Sequence, residues 1–190
     1  MGSSIQRSAV FRGCVSGVLL LLAGFASLPA IAQDFLVMQA TCGSVLTVGE
    51  GTRPGLEDYV EIGSFHHGVS NTVVFGGSGP TIGNTMFDSF RVVKAVSRSS
   101  IGLVEALVTG QSCPEIRIER WGPDPSSGES VQRWRVVLSK AFVNERKEWH
   151  AGNEGQAEES LGFIAEEIEW TYFDGKGEVI TSWNFVAQSK

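Results

Sequence analysis

From Gln33 onward, apolar residues recur at every second position in one segment after another, which is the period of a half-buried β-strand. Ile116 and Ile118 oppose Glu115, Arg117 and Glu119, and Trp134, Val136 and Leu138 oppose Arg133 and Arg135. Near the C-terminus, Val179, Thr181, Trp183, Phe185 and Ala187 oppose Ser182 and Asn184. Between Ile164 and Tyr172, the side chains of Ile168, Trp170 and Tyr172 share a face against Glu167, Glu169 and Thr171, with Glu166 on the apolar side at the strand entrance. The stretch from Met86 to Val93 is apolar on both faces, and strands at Phe35 to Ala40 and Tyr59 to Phe65 complete the set.

One segment has helical spacing instead. Leu103, Val104, Leu107 and Val108 recur at three and four residues and predict a helix from Ser100 to Thr109, with serines before it as N-caps and Gly110 after it as a left-handed C-cap. Ten residues make a helix too short to persist alone in water, so its apolar stripe must dock on a sheet. Glycine-rich turns are expected at Gly49 to Gly55, Gly76 to Gly83, Gly122 to Gly128, Gly152 to Gly155 and Asp174-Gly-Lys-Gly177. Many short strands with a single helix predict a mainly β barrel or sandwich.

Residues 1–32 have a different character. Arg7 and Arg12 precede an apolar run from Val15 to Phe25, and Ala30-Ile31-Ala32 follows, the layout of a secretory signal peptide cleaved before Gln33. A spanning helix needs roughly 20 apolar residues, more than this run supplies before Pro29. Cleavage leaves residues 33–190, enough for one domain with its own core. That domain holds 13 basic and 21 acidic residues, a formal charge of −8. Such a balance argues against nucleic acid or an anionic membrane surface as partner.

Export would put Cys42 and Cys113 in an oxidising compartment. A disulfide between them would close a loop of about 72 residues, worth roughly 4 kcal/mol in the chain-entropy account. Two separate thiols are the alternative, because sequence does not give their separation.

Tests for catalytic or metal chemistry return little. The clusters Gly49-x-Gly51-x-x-x-Gly55 and Gly77-x-Gly79-x-x-x-Gly83 miss the dinucleotide spacing and open no helix. Adjacent His66 and His67 on a strand point to opposite faces and do not share a metal readily. Glu158, Glu159, Glu166, Glu167 and Glu169 read as charge on the outer face of a strand rather than as paired catalytic carboxylates. No cofactor, metal site or catalytic set is expected, so the chain is read as a non-enzyme.

Three segments, taken together, resemble the hemolysin-coregulated protein (Hcp) family, the tube subunit and exported component of type VI secretion systems. The first runs from Val60 to Ser70 and contains Ser64, Phe65, His67, Gly68 and Val69. The second is Phe90-x-Val92-x-Lys94 followed by Ser100, Leu103, Glu105, Ala106 and Gly110. The third is Ile168-Glu-Trp170-Thr-Tyr172 with Asp174-Gly-Lys-Gly and Trp183. The resemblance implies a two-sheet β-barrel with one short helix packed on one side, assembled with copies of itself into a six-membered ring. Spike and effector proteins of the type VI apparatus would be further partners.

The chain departs from the family pattern at Ser97, where an acidic residue is usual, at Ile101, where a proline is usual, and in carrying a signal peptide. A periplasmic or secreted ring-forming protein is therefore expected. The alternative is a monomeric secreted binding module on the same barrel, using its glycine-rich loops for recognition.

Overall fold

The computed structural model describes residues 33–43, 45–46, 50–77, 79–150 and 155–185. The signal peptide expected over residues 1–32 and most of the turn from Gly152 to Gly155 lie outside the described residues. In chain order the elements are β1 (Phe35–Cys42), β2 (Val45–Leu46), β3 (Val60–Ile62), β4 (Ser64–His66), β5 (Val69–Gly76), β6 (Gly79–Phe87) and β7 (Phe90–Ala95). They continue with α1 (Arg98–Thr109), β8 (Ser112–Pro123), β9 (Ser130–Trp149), β10 (Glu158–Phe173) and β11 (Glu178–Asn184).

Strands β1, β8, β9, β10 and β7 are antiparallel neighbours in that order. The sheet nearly closes through one short segment: β3 pairs with β1, Leu36 opposite Ile62, while β4 pairs with β7, Phe65 opposite Val92. Gly63 is the joint between them, and its N–H donates to the Val93 carbonyl at 2.7 Å. The arrangement is the expected barrel. Its interior is filled by alternate residues of each strand, among them Met38, Ile116, Leu138, Val92, Leu161 and Phe163, all at most 1% exposed. Burying each such side chain stabilises by about 1.5–3 kcal/mol.

The helix begins two residues before the expected start. The Ser97 N–H donates to the Ser100 hydroxyl at 2.9 Å, so a side chain three residues on satisfies the N-cap backbone. Leu103 and Ala106 face the barrel at 0% and 1% exposure. Val108, expected on the docked stripe, is 75% exposed, because Ala106 takes the inward position in the last turn. Gly110 ends the helix at φ 66°, ψ 23°, the left-handed region where a side chain is strained.

Three other expectations are corrected. The two-faced strand from Met86 to Val93 is two strands, broken at Asp88 and Ser89. The Asp88 N–H donates to the Gly68 carbonyl at 2.9 Å, and the chain turns there from β6 into the barrel strand β7. The region Gly76 to Gly83, expected as a turn, is mostly hairpin: β5 and β6 pair from Val69 opposite Phe87 to Gly76 opposite Gly79. Tyr172, expected to share a buried face with Ile168 and Trp170, is 56% exposed, while Thr171 is 1% exposed. The end of β10 outruns the core, and the opposite face is covered by the Arg135 guanidinium, 3.5 Å from the Thr171 hydroxyl.

Candidate functional site

The hairpin β5–β6 forms a separate two-stranded sheet outside the barrel. Every residue of β5 is exposed, and Val74, Phe75, Ile82 and Met86 are 59%, 82%, 71% and 65% exposed. A free two-stranded hairpin is marginal in water, and this one carries apolar side chains that nothing among the described residues covers. It projects as an arm.

Residues from all three sequence motifs meet at the root of that arm. The His67 ring stacks on Phe90 with centroids 3.7 Å apart and lies 6.1 Å from Trp170. Phe87 packs edge-on against Phe185 at 4.3 Å and lies 6.0 Å from Trp183. Phe65 stacks on Trp134 at 4.8 Å. Gly68 and Val69 carry the chain out of this cluster into the arm. Burial among the rings lowers the pKa of His67, with the nearby Asp88 opposing part of the effect.

A gap lies beside this cluster. Along its free edge β10 pairs with β7 as far as Phe163 and with β11 only from Glu167. The interval is left to a cavity of about 170 Å³ lined by Phe87, Phe90, Phe163, Ile164, Ile168 and Phe185.

Ser100 and Leu103, also motif positions, sit elsewhere, at the start of the helix. Lys94 and Glu159 form an ion pair at 2.9 Å with both side chains 0% exposed. The Arg146 Nε lies 2.6 Å from the other Glu159 oxygen. The Ser100 hydroxyl donates to Glu159 at 2.6 Å and accepts from Lys94 Nζ at 2.9 Å. Glu159, expected on an outer face, is thus an interior charge, satisfied on both oxygens as buried charges must be. Burial alone would push its carboxyl up, but Ser100, Lys94 and Arg146 together outweigh that and hold it below the usual value. The Ser100–Lys94 contact is not a nucleophile–base pair. Both residues are at most 1% exposed and no substrate has a path to them.

Ser64 and Tyr172 are exposed and join neither cluster. Cys42 and Cys113, on adjacent strands β1 and β8, are bonded with S–S 2.05 Å and Cα atoms 3.8 Å apart. A cavity of about 570 Å³ lies beside Asp34. Its charges are paired, Arg53 with Glu61 at 2.9 Å and Arg120 with Asp34 at 2.6 Å. Among the described residues no three His, Cys, Asp or Glu side chains gather as a metal-ligand set. What the described residues present outward is an apolar arm and, at its root, an aromatic cavity.

The family model "Type VI secretion system effector, Hcp" matches residues 35–172, taking in the barrel, the arm and the helix. The chain belongs to the Hcp family. Solved Hcp structures share its fold at low identity. The Hcp1 protein from E. coli EAEC 042 pathovar matches with a TM-score of 0.65 at 21% identity, covering 82% of this chain and 99% of that one. The secreted protein Hcp3 from Pseudomonas aeruginosa matches at 0.60 and 18% identity, covering 81% and 98%. A further Hcp crystal structure reaches 0.68 at 15% identity, covering 80% and 98%. A search of curated protein sequences gives no significant match. The motif residues His67, Trp170 and Trp183 therefore belong to the base of the arm in an Hcp fold, and Ser100 belongs to the helix anchor.

Proposed function

We propose that this protein is a secreted, non-enzymatic Hcp subunit that assembles head to tail with copies of itself into a six-membered ring, its pore able to carry small effector proteins. The observation that carries the reading is the arm. The apolar hairpin projecting from the nearly closed barrel is left uncovered by the described residues, and a heterologous interface between identical subunits is an arrangement that covers it while closing a ring. Family membership supports the same conclusion.

Residues 1–32 act as the export signal in this reading, with the domain beginning at Gln33. Such a subunit reaches the periplasm by the general export route and is separated from any tube built in the cytoplasm. The bonded cysteines fit an oxidising compartment. Negatively stained particles of the protein purified after expression of the full chain should appear as closed rings with a central opening. Cell fractionation with N-terminal sequencing should find Gln33 first in the periplasmic fraction. An intact chain confined to the cytoplasm would reject the export reading, and isolated single particles would favour a monomeric binding module.

A further inference from the structure

We infer that Phe75, near the tip of the arm, inserts into the aromatic cavity at the root of the arm of the next copy. The inference rests on the self-assembly reading and names the contact that makes it. Phe75 is 82% exposed, more than any other large hydrophobic side chain among the described residues. The cavity of about 170 Å³ is lined by four phenylalanines, Ile164, Ile168 and Ala165, with Asp88 as its one charged residue. An engineered cavity of roughly this size lined by apolar side chains takes up benzene, so the volume and the aromatic part of the lining suit one phenyl ring.

Geometry decides which phenyl ring. Val69 pairs with Phe87, which lines the cavity, and Phe75 lies six residues further along the same paired strand, about 20 Å away at strand rise. The ladder carries one register shift, between Asn71 and Val73, but stays paired from Val69 to Gly76, and this paired length sets a chain's Phe75 away from its own cavity. A second copy placed head to tail brings tip to root, and repeating the step around an axis uses every tip and fills every root. The cavity rim is itself apolar, with Ile164 49% exposed beside the opening, and this surface would pack under the arm around the inserted ring. A central aromatic anchor seated in a desolvated pocket is the usual form of an interface hot spot.

Two singly substituted proteins that both keep Phe75, Val73→Cys on the arm and Ile164→Cys at the cavity rim, each purified after expression of the full chain, would be mixed and mildly oxidised. A disulfide should form between chains carrying different substitutions, and neither protein alone should give one. In a separate arm, Phe75→Ala should weaken self-association about 30-fold or more per interface, as loss of a hot spot does, with the far-ultraviolet circular dichroism unchanged. It should also open Ile164→Cys to thiol-reactive dyes that the assembled protein excludes. Rings that persist in Phe75→Ala, with no bond between chains, would overturn the inference while leaving ring formation standing. Dye protection that survives Phe75→Ala would also overturn it and assign the cavity to another segment, such as the residues after Phe185. A protein that stays a single chain at every concentration would reject both readings.

Discussion

Glu159→Gln is the most informative single change, because it removes a charge and almost no volume. In the native protein Glu159 has no exposed surface and balances two cations, Lys94 at 2.9 Å and Arg146 at 2.6 Å. After the change Arg146 keeps Glu148 at 2.6 Å and some access to water, whereas Lys94 is left buried with no counter-charge. Removing one partner of a buried pair costs about 3–5 kcal/mol. For a domain of this size, about 2–4 °C of melting temperature corresponds to each kcal/mol, so the melting point should fall by about 6–20 °C. Thermal and urea unfolding at pH 7 would measure it.

Acid supplies an independent check with a definite sign. The folded pKa of Glu159 lies below its ordinary value of 4.5, so its contribution is fully present above that pH. It is lost as pH falls through the lower folded value. The gap between native protein and Glu159→Gln should therefore narrow below pH 4.5. Replacing both partners, Lys94→Met with Glu159→Leu, should recover much of the loss, since no unpaired charge then remains. A cost under about 1 kcal/mol at pH 7 would refute the reasoning, and so would a gap that does not respond to acid.

Leu103→Ala, at a position with no exposed surface, should cost about 2–5 kcal/mol in urea unfolding, because it empties the face by which α1 docks on the barrel. Gly110→Ala should cost about 1–2 kcal/mol in the same assay, since φ 66° is strained for any residue with a Cβ. His67→Phe should raise stability at pH 5 relative to the native protein. The lowered pKa of His67 means that stability present above pH 6.5 is lost on acidification, and phenylalanine has no proton to take up. Reduction of the Cys42–Cys113 bridge, 71 residues apart in sequence, should lower stability by roughly 4 kcal/mol, seen as a lower melting point in dithiothreitol. An unchanged melting point, with thiol titration in denaturant confirming that the bridge has been reduced, would contradict this value.

The strands that line the barrel could be read from the sequence because their apolar residues alternate: Ile116 and Ile118 are fully buried and flanked by charged residues, although Glu119 on the other face is buried too. The helix was legible for a similar reason, with Gly110 marking its end. The arm was not. Its residues face water on both sides and show no period, and its glycines at 76, 77, 79 and 83 mimic an open turn. The joint at Gly63 was hidden as well, since one glycine inside a strand pattern does not reveal that its two flanks pair with opposite edges of the sheet.

Glu159 was misplaced because alternation assigns a face, whereas the cations that make a buried carboxylate tolerable come from β7 and β9, far away in sequence. The aromatic cluster at the arm root shows the same limit. His67, Phe90, Trp170 and Trp183 stood out individually as motif residues, but their meeting point depends on β10 exchanging β7 for β11 midway along its edge. Pairing between distant strands leaves no local trace.

Multi-angle light scattering across a concentration series, on protein purified after expression of the full chain, tests the central claim most directly. Self-assembly through the projecting arm predicts a mass of six chains that falls toward one on dilution or on substitution of Phe75. A mass of one chain persisting at high micromolar concentration would contradict it.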